Sequence, residues 1–94
     1  MANPLQIGIV GDYQANFPPH PASTRAIEHA AKHLRLDVRV EWIPTERLDA
    51  SDADAVLGQF SGLWLAAHSP YKSTTGAHRA IRFARERGRP FVAT

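Results

Sequence analysis

The sequence predicts an α/β fold, a three-layer sandwich with a mostly parallel sheet. Three observations carry that expectation. Short apolar runs ending in glycine, histidine or proline recur along the chain; the runs are separated by segments with helical spacing of apolar residues; and the order is β-α-β-(turn)-β-α-β. Strands that alternate with helices form parallel sheets through right-handed crossovers. Ninety-four residues suffice for one small domain at most.

The first run, "LQIGIVG" (Leu5 to Gly11), is apolar without alternation. That is the mark of a strand buried on both faces. "DYQANFPPHP" (Asp12 to Pro21) is expected to be an irregular loop, because its prolines and Asn16 punctuate it. From Ala22 to Leu36, Ala26, Ile27, Ala30, Ala31 and Leu34 recur at helical spacing, with Arg25, Glu28, His29, Lys32 and His33 on the wet face. "DVRVEWIP" (Asp37 to Pro44) alternates Val38, Val40 and Trp42 with Arg39 and Glu41, as a half-covered strand near a sheet edge does. Thr45 to Phe60 is acidic and mixed, with a short helical turn expected at Ala53 to Leu57. A third strand is expected over Leu63 to Ala67, ended by His68, Ser69 and Pro70. A second helix follows: Ala77, Ala80, Ile81, Ala84 and Gly88 form one stripe, a hydroxyl at Ser73, Thr74 or Thr75 caps the start, and Gly88 suits the left-handed position after the end. "RPFVAT" (Arg89 to Thr94) is the fourth strand.

In open parallel sheets, functional groups gather on loops at the carboxyl ends of strands. The informative ends here are Gly11, Asp12 and Tyr13 after the first strand, and His68, Ser69, Pro70 and Tyr71 after the third. The end at Pro44-Thr45 is blander. Other constellations have ordinary readings. His29 and His33 have ligand spacing on a helix but lack a third ligand, so they are taken as a solvated face and no metal site is expected. "GIVG" is no dinucleotide fingerprint, since a proline-rich loop follows it, and no cofactor is expected. "SPYKSTTG" offers hydroxyls, a lysine and a helix start that suit an anion, but an N-cap and turn is the preferred reading. Arg79, Arg82, Arg85 and Arg87 are expected to scatter around a solvated helix, with no aromatic platform for nucleic acid. Trp42 and Trp64, each on an expected strand, are taken as core packing residues.

Composition narrows the class further. The formal charge of +2 gives no strong electrostatic case for nucleic acid, and the absence of cysteine excludes disulfides, thiolate metal sites and a cysteine nucleophile within these residues. No apolar run approaches the ~20 residues that span a bilayer. The start "MANPLQIGIV" lacks a basic stretch before its apolar one, so no signal peptide or membrane partner is expected, and the cytoplasm is the expected compartment.

Taken in order, "IGIVGDY", "RAIEHAA", "VEWIPTERL", "GLWLAAHSPYKS" and "GAHRAIRFARERGRPF" resemble the class I glutamine amidotransferase domain of CTP synthase, above all the short stand-alone CTP synthase-like proteins. The likeness runs from Leu5 to Thr94, and Ser69 to Phe91 is its most specific part. It implies a flavodoxin-like, class I amidotransferase-like fold that is incomplete, with residues 1–94 as the N-terminal half of the domain. It also implies glutamine, or a related small amide, as substrate, and a synthetase domain or subunit as recipient of the ammonia. Nothing here resembles an ATP or UTP site. In that family a strand like "PFVAT" runs into the nucleophilic cysteine, which is therefore expected just after Thr94, so no catalytic residue lies within the chain. By the same resemblance, His68, Ser69, Pro70 and Tyr71 form the oxyanion and substrate loop, with Lys72 at its rim, and Gly11, Asp12 and Tyr13 line the neighbouring loop. One departure stands out. Where the family has Pro-Gly, this sequence has Ala67-His68, which either retunes the oxyanion hole or marks a non-catalytic interaction or regulatory module. A half-domain leaves one flank of its sheet bare, so these residues are expected to fold weakly alone and to favour pairing, a homo-oligomer included.

Overall fold

The computed structural model describes residues 4–66 and 71–93. The elements are β1 (Leu5–Val10), α1 (Pro19–Leu34), β2 (Val38–Ile43), a 3₁₀ turn (Thr45–Asp49), α2 (Ala53–Leu57), β3 (Gly62–Leu65), α3 (Thr74–Arg87) and β4 (Phe91–Ala93). They form one four-stranded sheet in the order β2-β1-β3-β4, and every neighbouring pair is parallel. The chain leaves β1 toward β2 and then returns across β1 to β3, so the sheet's topological switch lies between β1 and β3. The α/β class, the strand order along the chain and the edge position of β2 match the expectation from sequence.

The two faces of the sheet are covered unequally. Val10, Ile43, Leu63 and Leu65 point to one face and pack with Leu48, Leu57, Ala77, Ala80 and Phe83 from the 3₁₀ turn, α2 and α3. This is the closed core. On the other face, the register aligns Ile7 with Val40, Ile9 with Trp42 and Trp64, and Trp64 with Val92. Side chains alternate along a strand, so these residues share that second face. Helix α1 lies over it beside β2. An apolar groove of about 320 Å³ remains, bordered by Ile27, Leu34, Leu36, Trp64 and Val92. The three-layer arrangement is thus present, with its second helical layer reduced to α1.

Several boundaries differ from the sequence expectation. Helix α1 begins at Pro19, inside the stretch expected as loop, because Pro19 and Pro21 occupy its first turn. Prolines are tolerated there: the first N–H groups of a helix have no intrahelical acceptor to lose. The helix ends two residues early, at Leu34, where Arg35 takes the left-handed conformation (φ 57°). The 3₁₀ turn at Thr45–Asp49 was not expected. Strand β3 runs Gly62–Leu65 rather than Leu63 to Ala67, and Ala67 lies outside the described residues. Neither indole sits in the closed core: both are half-buried on the α1 face, and Trp42 donates its Nε1–H to Thr24 Oγ1 (2.8 Å). Helix α3 is as expected, with Ser73 Oγ capping it through the Gly76 N–H (2.9 Å) and Gly88 following its last turn. His29 and His33 are exposed.

Candidate functional site

The carboxyl ends of β1 and β2 meet the start of α3 in one hydrogen-bonded cluster, and Asp12 is its hub. The parallel register pairs Val10 with Ile43. Two residues beyond each lie Asp12 and Thr45, so the residue after the β1 turn and the residue after Pro44 stand side by side. Thr45 donates to Asp12 twice: its backbone N–H reaches Oδ1 (3.0 Å), and its hydroxyl lies 3.0 Å from Oδ1 and 2.9 Å from Oδ2. The Lys72 N–H completes the set at Oδ2 (2.8 Å). Thr45 is fully buried, and its Oγ1 also accepts from the Ser73 N–H (2.9 Å). Ser73 donates its own hydroxyl to Asp49 Oδ1 (2.8 Å) while capping α3. One continuous chain of bonds therefore ties β1, β2, the 3₁₀ turn and the residues leading into α3.

The charge of Asp12 follows from this shell. Burial alone would raise its pKa. The amide bonds from Lys72 and Thr45, the Thr45 hydroxyl and the nearby Lys72 ammonium together outweigh burial and hold the carboxyl below its usual range. With donors on both oxygens, Asp12 is a fixed anion and a poor general base. Tyr71 is half-buried and donates its hydroxyl to the Ala66 carbonyl (2.7 Å) at the end of β3. Burial, then the Asp12 charge, raise its pKa, so the phenol keeps its proton.

The residues singled out from sequence thus divide. Gly11, Asp12, Tyr71 and Lys72 converge on this edge. Gly11 donates its N–H to the Ile43 carbonyl (3.0 Å), and a Cβ there would lie 2.8 Å from that of Ala66, so a larger residue would push the ends of β1 and β3 apart. Tyr13 turns the other way. Its ring packs edge-on to Trp42 (centroids 4.8 Å apart) and stacks with His20 (6.0 Å), beside Phe17. His20 is 1% exposed, and its Nδ1 accepts the Gln14 N–H (2.9 Å), so it anchors the loop after β1 from within. His68, Ser69 and Pro70 lie outside the described residues.

Thr45 and Asp49 were missed. The end at Pro44-Thr45 looked bland because a lone threonine after a strand carries no motif. Its signal is positional and becomes readable only once β2 is placed beside β1 in this register. The arginines also differ from expectation: Arg79, Arg82 and Arg85 do not scatter but line one shallow depression with His78 on the outer side of α3. Arg79 also bonds the Ala50 carbonyl (3.1 Å), and Arg89 bonds the Phe60 carbonyl (3.1 Å). Among the described residues, no group of three histidine or acidic side chains is arranged to hold a metal ion, and no helix is long and apolar enough to cross a membrane.

No family model matches the chain. Curated proteins do. A CTP synthase of Campylobacter jejuni is 31% identical over 91 residues, which is 97% of this chain and 17% of that protein. A CTP synthase of Symbiobacterium thermophilum is 31% identical over 91 residues, covering 93% of this chain and 17% of its own length. The chain therefore spans less than a fifth of the relatives it matches. Among solved structures, the glutaminase domain of Trypanosoma brucei CTPS with bound acivicin superposes with a TM-score of 0.77 at 18% identity, over 95% of this chain and 35% of that one. In sequence the chain is similar to the glutaminase region of CTP synthases, and its fold is that of their glutaminase domain.

Proposed function

We propose that this chain is the N-terminal part of a glutamine amidotransferase of the CTP synthase type, which hydrolyses the side-chain amide of glutamine and passes ammonia to a synthetase domain or subunit. The observation that supports it is the coincidence of two likenesses over nearly the same residues: 97% of the chain aligned to CTP synthases, and 95% superposed on a glutaminase domain that holds acivicin. The 94 residues contain no cysteine, so the nucleophile on this reading comes from outside them, directly after Thr94. On this reading His68 and Ser69 contribute backbone N–H groups to the loop that stabilises the tetrahedral oxyanion, a loop that also includes Pro70 and Tyr71. Tyr71 and Lys72 form the junction between that loop and α3. On the same reading the protein works in the cytoplasm, where a thiol nucleophile stays reduced.

The test is intact-mass spectrometry of the protein as expressed from its gene, with and without acivicin, together with an assay for ammonia released from glutamine. A mass above the 10.4 kDa of these residues, one covalent adduct and ammonia release are expected. A protein that forms no adduct and releases no ammonia overturns the hydrolytic reading and leaves an amidotransferase fold used as an interaction module, the reading that Ala67-His68 in place of Pro-Gly favours.

A further inference from the structure

We infer that Asp12 is a positioning residue for Lys72 and Ser73, which lead into α3, acting through its carboxylate and through Thr45. The inference rests on the amidotransferase reading only for the catalytic use of the loop between β3 and α3; the anchoring itself stands on geometry. The residues that leave the loop are Tyr71, Lys72 and Ser73, and each is held from the ends of strands. Tyr71 reaches the Ala66 carbonyl through its hydroxyl, the Lys72 N–H ends on Asp12 Oδ2, and the Ser73 N–H ends on Thr45 Oγ1. Thr45 Oγ1 can accept from Ser73 because its own proton is directed at Asp12. The carboxylate thereby fixes two successive amides, one directly and one through a buried hydroxyl.

The charge state matters to both. A protonated carboxyl gains a donor and loses acceptor strength, so one of the three donors around it must turn away. The groups that set this balance against burial are the Lys72 and Thr45 amides, the Thr45 hydroxyl and the Lys72 ammonium, which favour the anion; the Tyr71 phenol and Asp49, which takes the Ser73 hydroxyl, face the same chain of bonds. Backbone donors in an oxyanion hole act only when they are fixed before the charge develops. The two amides that follow that loop in sequence are fixed in advance, at 2.8 Å from Asp12 and 2.9 Å from Thr45.

Asp12→Asn separates the two halves of the arrangement. The amide keeps one oxygen for Thr45 but turns an NH₂ toward the Lys72 N–H, so donor meets donor. Two readouts decide the inference. First, in ¹⁵N-labelled protein, the Lys72 and Ser73 amide shifts of the wild type should follow one acid titration with a midpoint below the ordinary carboxylate value. In Asp12→Asn that titration should vanish, and exchange of the Lys72 amide should rise by roughly tenfold, as loss of one charge-assisted bond implies. Amides that neither titrate nor exchange faster overturn the anchoring. Second, in the gene product that hydrolyses glutamine, Asp12→Asn should lower kcat by about 10- to 100-fold with KM within about twofold, and Asp12→Glu should restore part of it. An unchanged kcat in a hydrolysing protein overturns the link to catalysis while the amidotransferase reading stands. A wild type that hydrolyses nothing removes that reading and the link with it, and the amide measurements still decide the anchor.

Discussion

Thr45 illustrates how one buried hydroxyl can hold more structure than the carboxylate beside it. It donates to Asp12, accepts from Ser73, and is sealed from water, so removing the oxygen leaves a buried N–H unpaired and the anion short of a donor. An orphaned buried group costs about 1–3 kcal/mol. Thr45→Val, which keeps the branched shape, should therefore destabilise the protein by ~2 kcal/mol, and Thr45→Ser should cost less than half as much. Urea unfolding followed by tryptophan fluorescence measures both, and equal midpoints for wild type and Thr45→Val would refute the assignment. Asp12 adds a pH dependence whose sign is fixed. Its folded-state pKa lies below the ordinary value, so the folded state favours the anion. The stabilisation is complete above the unfolded carboxylate pKa of about 3.9 and disappears as pH falls through the lower folded value. The stability gap between wild type and Asp12→Asn should be constant from about pH 5 to 8 and should close in more acidic solution. A gap that widened on acidification would contradict the geometry.

The two long helices end by the same device with different residues. In α3, Gly88 (φ 64°) turns the chain and the Arg89 N–H bonds back to the Ala84 carbonyl (3.0 Å). In α1, Arg35 (φ 57°) turns it and the Leu36 N–H bonds back to the Ala31 carbonyl (2.9 Å). A side chain in the left-handed region costs about 1–2 kcal/mol, partly offset in glycine by its looser unfolded chain. Arg35→Gly should thus raise Tm by about 4 °C, and Gly88→Ala should lower it by a similar amount, as calorimetry would show. The same pair explains what was legible. Gly88 announces a helix end in any sequence, whereas Arg35 in "HLRLD" continues a good helical pattern and gives no warning. The prolines misled for a related reason: in "FPPHP" they read as a loop, yet a helix's first turn accommodates them. Apolar strands, the α3 cap and the sheet's order of elements were readable because each rests on residues adjacent in sequence. The Asp12–Thr45–Ser73 connection was not, because it joins residues 33 and 28 positions apart that meet only through the parallel register.

At the scale of the molecule, the two faces of the sheet are the decisive asymmetry. Parallel sheets normally have both faces covered. Here the α3 face has a closed core, while the α1 face leaves Leu34 and Val92 63% and 57% exposed around an apolar groove of about 320 Å³. The same side presents Leu5 and Leu36, both exposed. Burying apolar area is worth roughly 25 cal/mol per Å², so this face adds little to stability while bare and has much to gain from any apolar surface that fits it. A patch of this kind promotes association. The 94-residue chain on its own should accordingly bind a hydrophobic dye and sediment as species whose mass rises with concentration. Val92→Lys with Leu34→Glu places two opposite charges on the rim without touching the closed core. It should reduce both the dye signal and the association, and leave the far-ultraviolet dichroism unchanged. A chain that is monomeric at high concentration and silent to the dye would mean that α1 settles farther over Trp64 and Val92 and closes the face by itself.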